Sequence, residues 1–148
     1  MLRAGALLAS ALLLAAPAQA DDPVVAYTIV NAREIAESLT RTPGDARRGQ
    51  ALYHAEERAG CPACHGLPGA AEARTAPDLA EVGTRLSPGE IRLWIVAPSV
   101  IAEDTAMPAY YAAGQRRGAE DPLYGGPILT AAEIEDLVTY LATLKGTD

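Results

Sequence analysis

The most regular pattern in the chain lies near its C-terminal end. Ile134, Leu137, Val138, Leu141 and Leu144 recur three and four residues apart, the spacing of one face of an α-helix. Thr130-Ala131-Ala132-Glu133 precedes them and has the form of a capping box, so this helix starts at Thr130. Ser87-Pro88-Gly89-Glu90 is a second box, with proline at the first helical position; it opens a helix that ends before Pro98. Asp45 caps a third helix, which runs to about Arg58 and is stopped by Gly60. Arg33–Leu39 carries a weaker helical pattern, and Val24–Val30 is short and β-prone. Residues 41–45 read as a turn, and 66–76 and 109–127 as loops rich in Gly, Pro and Ala. The pattern therefore predicts an all-α protein of three to four helices. Its core is thin for its length, and its long loops call for something to wrap around.

The first twenty residues stand apart. A basic start at Arg3 precedes an apolar run from Ala4 to Ala16, Pro17 breaks it, and Ala18-Gln19-Ala20 places small residues at −3 and −1 of a cleavage site. These are the parts of a secretory signal peptide. The run is too short for the ~20 residues that span hydrocarbon. The expected division is residues 1–20 signal peptide, 21–43 N-terminal extension and 44–148 a single domain. The expected home is the periplasm, an oxidising compartment, with no membrane span.

The formal charge is −7, which argues against nucleic-acid binding, since phosphate contact is driven by Lys and Arg. Two cysteines are too few for a multi-bridge scaffold or a four-Cys zinc site. They occur as Cys61-Pro62-Ala63-Cys64-His65. In an exported protein the pattern C-x-x-C-H is the attachment signature of a c-type haem: two thiols one turn apart reach two vinyl groups, and the next residue brings an imidazole to the iron. The competing readings are a thioredoxin-like dithiol and a structural disulfide. The dithiol needs a βαβ context, whereas the lead-in here, HAEERAG, is polar and helical.

After removal of the leader, Met107 is the only methionine and His54 the only other histidine. His54 lies seven residues before Cys61 on the incoming helix, a poor position for reaching the opposite face of a haem, and it reads as a solvated flank residue. Met107 follows His65 by 42 residues and precedes Pro108, which biases it to an extended backbone. The expected axial pair is His65 and Met107. Such a pair leaves no open coordination site and raises the potential, which points to electron transfer. A carbonyl at Pro77 is placed to accept the His65 Nδ1 proton, although a loop proline needs no such role. Trp94 either lines the haem pocket or packs in the core. No group is left that resembles an activated nucleophile, so no catalytic residue is expected.

In this order the residues resemble the class I cytochromes c, over Gly44 to Lys145: Gly49 and Tyr53 on the first helix, C-x-x-C-H, Pro77-Asp78-Leu79, the Trp94 helix, Met107-Pro108, and Leu137 and Tyr140 on the last helix. The resemblance implies that the terminal helices cross at Gly49, that Pro77 accepts the histidine's hydrogen bond, and that one haem c is bound covalently through Cys61 and Cys64. A narrower resemblance, in TAMPAYY (105–111), YGGPILTAAEIEDLVTYLATL (124–144) and AYTIV…ESLTRTPGDARRG, is to the SoxX family, the monohaem subunits of the SoxAX cytochromes of sulfur oxidation. It implies a heterodimer with a SoxA-like cytochrome, oxidative conjugation of thiosulfate to a carrier protein's cysteine, and delivery of electrons to a downstream acceptor. The alternative is a free-standing soluble electron shuttle. A minimal shuttle needs neither the 21–43 extension nor the long loop after Met107.

Overall fold

A computed structural model describes residues 24–65, 75–112 and 126–146. The expected signal peptide with its cleavage site, and most of the stretches 66–76 and 109–127 that the sequence reads as loops, lie outside the described residues. The four α-helices are α1 (Ala46–His54), α2 (Val82–Arg85), α3 (Pro88–Val96) and α4 (Ala131–Thr143), with short 3₁₀ turns at Cys61–Ala63 and Pro98–Val100. Among the described residues no helix is long and apolar enough to cross a membrane.

Each long helix starts where its local sequence says it should. Ser87 accepts from the Glu90 N–H while Glu90 accepts from the Ser87 N–H, and Thr130 and Glu133 repeat the exchange on α4. Asp45 Oδ1 accepts from the Arg47 and Arg48 amides, both at 2.9 Å. These bonds satisfy amides that the first turn of a helix leaves without partners. The α1 helix stops at His54, earlier than Arg58, because residues 55–60 tighten into a turn in which Ala59 and Gly60 both donate to the Ala55 carbonyl.

The helix expected over Arg33–Leu39 does not form, and Val24–Val30 is extended without belonging to a sheet. Val30 and Glu34 make an isolated antiparallel bridge around a tight turn at Asn31 and Ala32. Beyond it the backbone bonds to other elements: the Ile35 amide donates to the Gly89 carbonyl and the Leu39 amide to Glu135 Oε1. The side chains of Ile35 and Leu39 are buried. Their apolar spacing is real, and it serves packing of an irregular strap against α3 and α4.

The α4 helix is central. It packs on α1 most extensively, then on α3 and α2, and its Ala131, Ile134, Leu137, Val138, Tyr140 and Leu141 join Tyr53, Leu93 and Val96 in one core. The α1–α4 contact is backbone to backbone at Gly49, where a Cβ would overlap the Asp136 carbonyl and press on the Tyr140 Cβ. One turn on, the Tyr53 and Tyr140 rings meet at 5.9 Å. The helices thus cross at the glycine, as the cytochrome resemblance implies.

Two carboxylates on α4 are buried and fully engaged. Arg92 and Glu135, both only 6% exposed, form a two-pronged pair at 2.7 and 2.8 Å. The spare Arg92 Nη1 donates to the Ile35 carbonyl. Asp136 takes two bonds from Arg48 and one from the Asp45 amide. A buried ion pair is tolerable only when its remaining donors and acceptors are met in this way.

Gly49→Ala should destabilise the haem-loaded protein by roughly 3 kcal/mol, because the added methyl meets backbone that cannot repack. Gln50→Ala, on the exposed side of the same helix, should stay within about 0.5 kcal/mol. Denaturant unfolding followed by far-UV circular dichroism measures both.

Candidate haem site and family

The C-terminal end of α1 leads into the C-x-x-C-H motif through the turn at 55–60. Gly60 occupies the left-handed region at φ 60°, which a residue with a Cβ enters at a cost. Arg58 is anchored on both carboxylate oxygens of Glu133, the same residue that completes the α4 capping box. The approach to the motif is therefore braced against the start of α4.

Within the motif, the Cys61 carbonyl accepts from both the Cys64 amide, at 3.2 Å, and the His65 amide, at 2.9 Å. The two cysteines are thus one turn apart, and His65 follows directly. Both cysteines are free thiols. Burial pushes the Cys61 thiol up to about 11, so that sulfur is held protonated. Cys64 is exposed.

The backbone then returns alongside. The Ala76 amide donates to the Cys64 carbonyl, and the Pro77 carbonyl lies 2.8 Å from His65 Nδ1. A carbonyl can only accept, so Nδ1 is the donor, and in the neutral ring the lone pair is then on Nε2. A proton on Nδ1 and a free Nε2 are what a metal-binding imidazole needs. Two reduced thiols one turn apart, followed by an imidazole locked in that tautomer, fit a covalently attached haem.

The Met107 segment comes to the same region. Met107 is half-buried and packs against the core that also receives Cys61 and Tyr110, and its amide donates to Thr105 Oγ1. Tyr110 holds this segment in place. Its hydroxyl donates to the Ala59 carbonyl at 2.8 Å, two residues before Cys61. Its amide donates to the Ile95 carbonyl on α3, and its carbonyl accepts from the Leu129 amide. Tyr110 is thus a site residue that motif reasoning overlooked. The signal was there in the Met-Pro-Ala-Tyr-Tyr run, but a tyrosine's partner 51 residues away is not visible in a spacing.

Trp94 is half-buried on α3 between the buried Leu93 and Ile95. It makes no hydrogen bond to a described residue, so a pocket role rests on its position alone. His54 is exposed at the end of α1, with its ring edge-on to Tyr53 at 5.1 Å. The structure does not bring it to the motif's far side.

The Cytochrome c family model matches residues 46–145. The protein belongs to the cytochrome c family, an electron-carrying class that binds haem c covalently, and its fold is that of class I. A chain of the crystal structure of SoxXA from P. pantotrophus is similar at 31% identity, with a TM-score of 0.67, covering 82% of this chain and 94% of that one. Within the family this is a SoxX-type cytochrome. No curated protein matches it.

Burial, with the Cys61 and Cys64 sulfurs beside it, raises the Tyr110 phenol to about 12 from an ordinary 10.0. Stability that depends on the neutral phenol is complete below pH 10, where both folded and unfolded states keep the proton. It is lost as pH rises from 10 towards 12, because only the unfolded state ionises easily. Tyr110→Phe should cost about 1–2 kcal/mol at neutral pH, since the Ala59 carbonyl loses its donor, and should flatten the alkaline decline. Denaturation midpoints of both proteins between pH 7 and 11.5 provide the check.

Proposed function

We propose that this protein is the exported, monohaem, electron-carrying subunit of a SoxAX-type cytochrome. The observation that carries the reading is the similarity to a chain of SoxXA, at 31% identity over 94% of that chain. On this reading residues 1–20 are a cleaved signal peptide and the mature protein works in the periplasm. Cys61 and Cys64 would hold the haem by thioether bonds, His65 Nε2 and the Met107 sulfur would ligate its iron, and Trp94 would line the pocket. The bound haem supplies one reversible electron between ferric and ferrous iron.

The residues then have separate tasks. Pro77 fixes the His65 ring and makes it a better donor by drawing on the Nδ1 proton. Tyr110 braces the Met107 segment against the motif. With His65 and Met107 both ligating, the iron would keep no site for a small substrate, which suits electron transfer.

The bond-forming chemistry belongs to a SoxA-like partner. Joining thiosulfate to a carrier protein's cysteine makes a sulfur–sulfur bond; the cysteine thiol loses its proton, and two electrons are released. The SoxX-type subunit accepts them one at a time and hands them to a downstream acceptor. Its two cysteines are occupied in this role, and no further thiol stands in the sequence.

Met107→Ala should keep the haem but lower its potential and abolish the weak sulfur-to-iron charge-transfer band of the ferric form, because a thioether favours ferrous iron. His54→Ala should change neither. Survival of the band in the first variant, or its loss in the second, would reassign the ligand.

The function itself is tested by a thiosulfate-conjugation assay with carrier protein and an electron acceptor. The expected result is no turnover with this protein alone and turnover once the partner is added. Activity of the protein alone would defeat the division of labour; no gain on adding the partner would favour a free-standing shuttle.

A further inference from the structure

The segment ahead of the cytochrome domain holds an open backbone edge. Residues 24–29 are extended, and among the described residues nothing bonds to the N–H or C=O groups of Ala26, Tyr27, Thr28 or Ile29. Val24, Val25, Tyr27 and Val30 are 40, 42, 37 and 37% exposed. The ten residues from Pro23 to Ala32 contain no charge in a protein of net charge −7. Proteins ordinarily blunt such an edge with charge, proline or a bulge, because it templates pairing with another strand. None of these interrupts residues 24–30.

The edge is also held ready. At one end the Val25 amide donates to the Tyr111 hydroxyl at 2.8 Å, and Tyr27 lies against the Tyr111 ring. In the middle Ile29 packs on the core. At the other end Val30 and Glu34 close the turn through Asn31 and Ala32, which take φ of 52° and 53°. Alanine enters the left-handed region only at a steric cost, so the surrounding bonds enforce this conformation. A preorganised strand loses little entropy when a partner pairs with it.

The similarity to the SoxXA chain extends ahead of α1. It covers 82% of 148 residues, about 121, whereas only 103 run from Ala46 to the C-terminus. Part of the segment before α1 is therefore shared with a chain from a two-component cytochrome, although the Cytochrome c family model begins at residue 46.

We propose that Val24–Val30 is a docking edge for the SoxA-like partner, which pairs an extended segment of its own with the free backbone groups of Ala26 and Thr28, on the edge opposite the Val25 amide, and covers the exposed valines and Tyr27. The mode is strand addition, in which main-chain bonds supply affinity and alternate side chains supply fit. The inference rests on the SoxAX-type reading above.

Hydrogen exchange on the haem-loaded full-length protein, alone and with the partner, tests it. The amides of Ala26 and Thr28 should exchange fast in the free protein and become protected in the complex. Thr28→Pro deletes one donor at an exposed position and should weaken partner binding about tenfold; Thr28→Ala, which keeps the donor, should bind like the parent. The haem spectrum of each variant verifies its fold, and the exchange data on the unsubstituted complex decide the matter even if Thr28→Pro misfolds. A complex that forms without protecting Ala26 and Thr28 overturns the inference and leaves the SoxAX-type reading standing. Protection that grows with concentration of the free protein would assign the edge to a second copy and also overturn it. If the parent protein forms no complex at all, the SoxAX-type reading falls, and the docking edge with it.

Discussion

The fold depends on a backbone contact: α1 and α4 approach so closely at Gly49 that the Asp136 carbonyl occupies the space of a side chain. This proximity sets the direction in which α1 leaves the crossing and so where the C-x-x-C-H motif is delivered. It also brings the Arg58 turn within reach of Glu133. A larger residue at the crossing would displace the incoming backbone, and with it both thiols and the imidazole, relative to the segment that carries Met107.

Polar groups do much of the joining. The Arg92–Glu135 pair and the Arg48–Asp136 pair each connect α4 to another helix, and each holds backbone of the segment before α1: the Ile35 carbonyl and Leu39 amide on the first, the Asp45 amide on the second. The strap from Ile35 to Asp45 is thereby tied to the domain by hydrogen bonds that reach buried charge. Truncating one partner of such a pair strands the other, which is why these contacts are demanding even though a buried ion pair adds little net stability.

The site has a similar economy. His65 obtains its tautomer from the Pro77 carbonyl, and the Met107 segment obtains its position from Tyr110, whose three bonds reach Ala59, Ile95 and Leu129. None of these partners is itself a proposed iron ligand. They hold His65 and the Met107 segment in place, which suits electron transfer, where little rearrangement should accompany a change in charge.

Local signals were enough for some of this. The capping boxes at Ser87 and Thr130 and the Asp45 cap specify helix starts through bonds spanning two or three residues, so they are legible in sequence, and the spacing of Cys61, Cys64 and His65 lies within a single turn. What the sequence could not decide was everything whose partner lies far away. Arg33–Leu39 has helical spacing, yet its amides bond to Gly89 and Glu135, because tertiary acceptors outcompete a weak local helix. Glu135 and Asp136 fall on the polar side of α4's pattern, yet both are buried, since Arg92 and Arg48 arrive from other helices to neutralise them. Tyr110 became part of the site only when the fold brought Ala59 to its hydroxyl. A local pattern states what a segment can bond within itself; where a charge may be buried, or an amide left open, depends on which distant groups the packed protein places beside it.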